Sequence, residues 1–328
     1  MIAKLQRILF AIAAGLIAVD LAWGWLGHFQ VNVAVYARLG LVGLVMLGGG
    51  IFYQTRRPDP ALAAMLLGAS FLVFFTAAAN LLNNFLLTVA GPRIDAQLDA
   101  ADRALGFDWY RLMLAMADHP VLNGWLFRIY NIALPEVALL MVVLAWTGNA
   151  DKVYRFCIAI ATGALVTILL WALRPAFGAM SLYTLPPDVA HRLVLSLTCE
   201  FGKAQVALLQ NGPGYITLDG LHGSLIGFPS YHGALALIVT YYGWRVRGLC
   251  WLLLVLNAIV LISTPVQGGH HLVDVLASFP VAALALFLSS LRQSANSSAK
   301  VFNVVNKSLK WTVIPRAERQ FSATPAKD

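Results

Sequence analysis

Eight apolar runs, each close to the length that crosses a bilayer, restrict this chain to a bundle of membrane helices. They cover roughly 7–27, 34–53, 61–89, 123–147, 153–173, 229–246, 248–266 and 268–291. In hydrocarbon every backbone N–H and C=O must be paired within the protein, so runs of this length become α-helices. Only 12% of the 328 residues are charged, about half the share of a water-soluble domain. The predicted fold class is all-α: a polytopic transmembrane helix bundle of about eight spans. Between the third and fourth runs, residues 93–109 place apolar positions at helical spacing among acids. That pattern predicts an external amphipathic helix lying at the interface. It serves either as a lid over polar helix ends or as an entry for lipid.

Charge excludes some functions and orients the chain. The formal charge is +8, but seven of the 23 basic residues (Arg292, Lys300, Lys307, Lys310, Arg316, Arg319 and Lys327) follow the last apolar run. Only Glu318 and Asp328 oppose them there. A basic tail in that place suits anionic lipid heads, not nucleic acid. Lys4 and Arg7, Arg56 and Arg57, Lys152 and Arg155, Arg245 and Arg247, and the tail all fall on one side if there are eight spans. The positive-inside rule makes that side the cytoplasm. Both termini are then cytoplasmic, in what we expect to be a bacterial inner membrane. The first run lacks a small-residue cleavage site and is expected to stay as an anchor. Residues 1–60 read as an N-terminal transmembrane hairpin, 61–291 as a catalytic membrane domain and 292–328 as a basic cytoplasmic tail. Cys157, Cys199 and Cys250 are too scattered for a disulfide framework or a metal site. Trp23, Trp25, Trp109 and Trp125 are expected to belt the interfaces.

Under this orientation three polar elements meet at the external face: Arg174-Pro175, Phe228-Pro229-Ser230-Tyr231-His232-Gly233, and Gly268-Gly269-His270-His271-Leu272-Val273-Asp274. Residues four apart share a helix face, so Asp274 can hold one ring nitrogen of His270 and leave the other free to attack. The bland alternative is a pair that satisfies itself inside the bundle. Pro229 suits the first helical position, and Ser230 with the N–H groups after it can hold phosphate oxygens. His232 can donate a proton to a leaving group. Otherwise Ser230 is merely a cap with an incidental histidine beyond it. Arg174 can grip a phosphate or simply snorkel. The glycines before His270, Gly269 in particular, let backbone approach a ligand closely. His271 reads as a packing neighbour of His270, and His222 as a residue that can shape the pocket. His28, His119 and His191 read as interfacial.

The order Arg-Pro, Pro-Ser-x-His, Gly-Gly-His-x-x-x-Asp-Val resembles the type-2 phosphatidic-acid-phosphatase superfamily, which includes the vanadium haloperoxidases. Phe228-Pro229-Ser230-Tyr231-His232-Gly233-Ala234 and Ser263-Thr264-Pro265-Val266-Gln267-Gly268-Gly269-His270 are most similar to its inositol-phosphorylceramide-synthase-like branch. The resemblance spans roughly residues 80–290. It implies a six-helix phosphatase-type core and a phosphohistidine reaction without metal or cofactor. His270 would be the nucleophile, Asp274 its orienting group and His232 the acid/base. Arg174, Ser230 and Gly269 would bind phosphate. Membrane lipids would be the partners, a phosphorylated one as substrate and an alcohol as possible acceptor. Two cations of the superfamily pattern are replaced, by Thr167 and by Thr264; the synthase-like branch also lacks the second. Arg192 or Lys203 from the long loop would have to substitute, or Arg174 works with helix N-termini alone, on a phosphate that is then a diester with less charge to neutralise.

Two other function classes compete. A transporter or channel with an intramembrane His–Asp proton relay predicts repeated halves and broken helices. A catalytically inactive lipid-binding scaffold would explain the replaced cations.

Overall fold

A computed structural model describes residues 2–310 apart from 149, 219 and 245; from residue 292 onward it describes backbone alone. The chain divides into two units, Met1–Ser289 and Ser290–Asp328. Arg316, Arg319 and Lys327 of the expected tail lie outside the described residues.

The chain is an all-α helical bundle. Its elements in order are α1 (Ile2–Leu26), β1 (Gln30–Val31), α2 (Val33–Thr55), α3 (Pro60–Leu86), α4 (Asp95–Ala104), α5 (Trp109–Ala117), α6 (Pro120–Tyr130), α7 (Ala133–Trp146), α8 (Ala150–Leu173), α9 (Pro187–Arg192), α10 (Cys199–Asn211), β2 (Tyr215–Ile216), α11 (Tyr231–Gly243), α12 (Cys250–Gln267) and α13 (Leu272–Lys310). Six helices are long and apolar enough to cross a membrane singly: α1, α2, α3, α8, α12 and the Leu272–Leu291 part of α13. The fourth expected span is two helices, α6 and α7, bent by 44°. Pro135 lies in the first turn of α7, where its missing N–H breaks the ladder across the junction. Asn131 closes the end of α6 twice on the Phe127 carbonyl, which accepts from its Nδ2 at 2.8 Å and from its backbone N at 3.2 Å. The sixth expected span is shorter than its apolar run, at 13 residues.

Helix starts follow local chemistry. Asp59 Oδ1 accepts from Ala61 N and Leu62 N at 3.0 Å, with Pro60 opening α3. Helix α3 is the spine of the bundle. Its Leu67, Phe71 and Phe75 are buried with Leu5 and Leu9 of α1 and with Val153 and Phe156 of α8. Against α2 the contact is close: Ser70 Oγ donates to Gly43 O at 2.8 Å, as small residues allow between membrane helices. Outward faces are apolar, with Leu41 and Val45 exposed, as lipid contact requires.

Several expectations change. Trp109 is no belt residue: it is buried and donates its indole N–H to Pro265 O at 2.8 Å. Arg155 is not a loop charge: it lies buried in α8 and donates to Ser289 O at 2.8 Å. Pro229 stands one residue before the cap of α11, not at its first helical position. The stretch 176–227, read as a loop, contains α9, α10 and β2. Residues Gln30 and Val31 pair in parallel with Tyr215 and Ile216, which ties the N-terminal hairpin to that stretch.

Candidate active site

Three chain segments converge where α8 ends and where α11 and α13 begin. They meet backbone to backbone. Gly227 N donates to Ala176 O at 2.7 Å, and Met180 N donates to Gly269 O at 3.1 Å. Gly178 and Gly269 adopt φ of +84° and +62°, and a β-carbon on Gly178 would strike the Gly269 carbonyl. Glycine is required at both places by conformation and by space. Ser230 N donates to Asp274 O at 3.0 Å, locking the start of α11 to α13.

His270 lies in the turn between α12 and α13, about 4% exposed. Its Nδ1 is 3.2 Å from Asp274 Oδ2. The same oxygen accepts from His271 N at 2.8 Å, which holds the carboxylate still. On the other side of the ring, Nε2 faces Ser230 Oγ at 3.5 Å. Ser230 caps α11, accepting from Gly233 N at 3.3 Å. The cap and the contact with His270 therefore coexist on one hydroxyl. His232, the second residue of α11, stacks on Tyr130 with ring centroids 4.6 Å apart. Tyr130 reaches further. Its hydroxyl and the His270 ring carbon Cδ2 each lie 2.6 Å from where a β-carbon on Gly268 would stand. Nothing in the sequence marked Tyr130; the signal was Pro135, whose break ends α6 at this residue.

Beneath the His270 turn lies a buried ionic cluster supplied by α4. Asp102 Oδ2 accepts from Leu272 N at 2.9 Å and Oδ1 from Val273 N at 3.0 Å. A carboxylate from one helix thus caps another, meeting two of the unpaired N–H groups of α13. His271 is fully buried, with Nδ1 3.4 Å from Asp102 and Nε2 3.7 Å from Asp95. These are ion-pair separations. Burial works against charge on this imidazole, but the Asp102 and Asp95 carboxylates outweigh it and raise its pKa to about 9. Asp95 also takes Arg93 Nε at 2.5 Å and Phe177 N at 2.9 Å. The amphipathic helix is thus partly inverted: Asp95 and Asp102 point into the protein, while Asp99 pairs with Arg103 outside.

The family model of the PAP2 superfamily matches residues 96–288, more than half of the chain, including Tyr130, Ser230, His232, His270 and Asp274. The chain belongs to the PAP2 superfamily. Neither the curated proteins nor the solved structures compared with it match. Members of the PAP2 superfamily are phosphatases and phosphotransferases, so the cluster lies in a fold of phosphoester chemistry.

Among the described residues, cations are sparse around this PAP2 imidazole. Arg174 is exposed just past α8, and no side-chain contact brings it to His270. Thr167 is buried within α8, and Thr264 Oγ1 donates to Val260 O at 2.7 Å within its own helix. Arg192 pairs with Asp118 at 2.7 Å, and Lys203 donates to Thr184 Oγ1. Arg93, not singled out by sequence, is nearer the cluster but is neutralised by Asp95. His222 fixes the stretch before α11: its Nε2 meets Pro213 O at 2.7 Å and its carbonyl accepts from Asn80 and Asn84.

Proposed function

We propose that the chain cleaves phosphate esters of membrane lipids through a phosphohistidine at His270, without metal. The observation that carries this reading is the His270 imidazole with one nitrogen on a buried carboxylate and the other facing the cap of α11. In the first half-reaction Nε2 donates its lone pair to phosphorus and the P–O bond to the leaving alcohol breaks. His232 delivers the proton that the leaving oxygen needs. In the second, water or a lipid alcohol attacks phosphorus, His232 takes its proton, and the N–P bond breaks. Asp274 keeps the Nδ1 proton in place and stabilises the charge that develops on the ring. Phosphate oxygens lie against the Ser230 hydroxyl and the free N–H groups of α11, with Gly269 giving close backbone approach and Arg174 swinging in from solvent.

The scarcity of cations favours a phosphodiester donor, with one negative charge, and transfer of its head group to an alcohol, as in the inositol-phosphorylceramide-synthase-like branch. The transporter reading has no comparable support, since the polar groups cluster at one end of the bundle. The test compares lipids of cells with and without the gene by mass spectrometry. Loss of one head-group species in the deletion strain fits transfer. Build-up of a phosphomonoester lipid would replace transfer by hydrolysis. Purified protein should be inhibited by vanadate and unaffected by EDTA, and the reverse pattern would remove the phosphohistidine route.

A further inference from the structure

Away from the imidazole cluster, α1, α2 and α3 enclose a groove of about 610 Å³. Phe29, Phe74 and Phe85 wall it, and Trp25 and Val33 stand at its mouth, 76% and 72% exposed. One acid interrupts this apolar lining. Asp20 is only 5% exposed, and neither of its carboxyl oxygens has a hydrogen-bond partner. No Lys, Arg or His is among the described residues that line the groove. Tyr36 also lines it, but its hydroxyl already donates to Asn80 Oδ1 at 2.6 Å.

A carboxyl without a donor in apolar surroundings is costly, and inside a membrane helix such a group marks a site by default. The missing partner must bring a donor and must share the groove with aromatic faces. Aromatic π faces are electron-rich and favour cations. An acid among rings, open to lipid on one side, therefore matches an ammonium carried on a long hydrocarbon tail.

We propose that this groove binds a membrane amphiphile with one primary ammonium group, its head on Asp20 and its tail along Phe29, Phe74 and Phe85. The site is independent of the phosphohistidine reading. It is nonetheless two hydrogen bonds from the stretch that leads to Ser230, through Tyr36, Asn80 and the His222 carbonyl.

The test uses the full chain in phosphatidylcholine nanodiscs, with photoreactive dodecylamine as probe and chain-matched dodecanol as competitor and control probe. In the unaltered protein the amine should label residues of α1, α2 and α3 that line the groove, and should outbind the alcohol by about tenfold or more, as a charge-assisted contact outweighs a neutral one. Asp20→Asn should erase that preference and leave the two probes equal. The proposal fails if amine and alcohol bind the unaltered protein alike, a comparison that needs no variant to fold. It also fails if the preference survives in Asp20→Asn, if the label maps elsewhere, or if copies of the chain crosslink through the groove and exclude the probe.

Discussion

A histidine attacks phosphorus only when its proton rests on the far nitrogen, and Asp274 is what would keep it there. Asp274→Asn retains shape but supports the wrong tautomer, so turnover should fall by about three to four orders of magnitude. His270→Ala should leave no turnover at all. Both are checked by phosphate release or head-group transfer per inserted, folded protein; substantial residual turnover in both would remove the nucleophile assignment. Tyr130→Phe keeps the stack on His232 but deletes the hydroxyl beside Gly268, and should lower kcat by about tenfold with KM little changed, read from steady-state kinetics. The His270–Asp274 contact was legible from a spacing of four residues, although His270 stands in the turn before α13 and the contact depends on Asp274 folding back onto that turn, where it accepts from His271 N. Tyr130 was not, because its place depends on a helix break and on packing against an element distant in sequence.

The element that most supports the site is α4, whose Asp102 caps α13. Asp102→Ala strands two backbone N–H groups and should cost about 1–2 kcal/mol, seen as a fall of a few degrees in Tm. His271 adds a pH dependence. Its pKa is raised from 6.5 to about 9, so its charged form favours the fold. That contribution is complete below 6.5 and is lost as pH climbs through 9. Tm should decline over this window, and Asp102→Asn should shallow the decline; a flat profile would show His271 neutral throughout. Eight apolar runs announced the main helices because hydropathy reads them directly. It could not locate the bend at Asn131 or the short α11, since the apolar composition continues past both. Nor did amphipathic spacing reveal that α4 turns two acids inward, because the backbone groups they meet, Leu272 and Val273 for Asp102 and Phe177 for Asp95, are distant in sequence.

At the scale of the whole molecule, orientation rests on basic loops, and the buried Arg155 removes one charge from that tally without reversing it. Ala207 is exposed on α10, at the end of the bundle that carries the imidazoles. In a Cys250→Ser background, Ala207→Cys should react with an impermeant thiol reagent on intact cells, since Cys157 and Cys199 are buried. Reaction only after lysis would turn the protein over in its membrane.

Where Gly178 meets Gly269, two loops touch through peptide planes with no side chain between them. The turn that carries the His270 ring is thus registered against the scaffold by backbone alone, which has no rotamers to sample. A designer could exchange much of the lining to court a different lipid and keep that registration. Two hydrogens, standing where every other amino acid carries carbon, would have to stay.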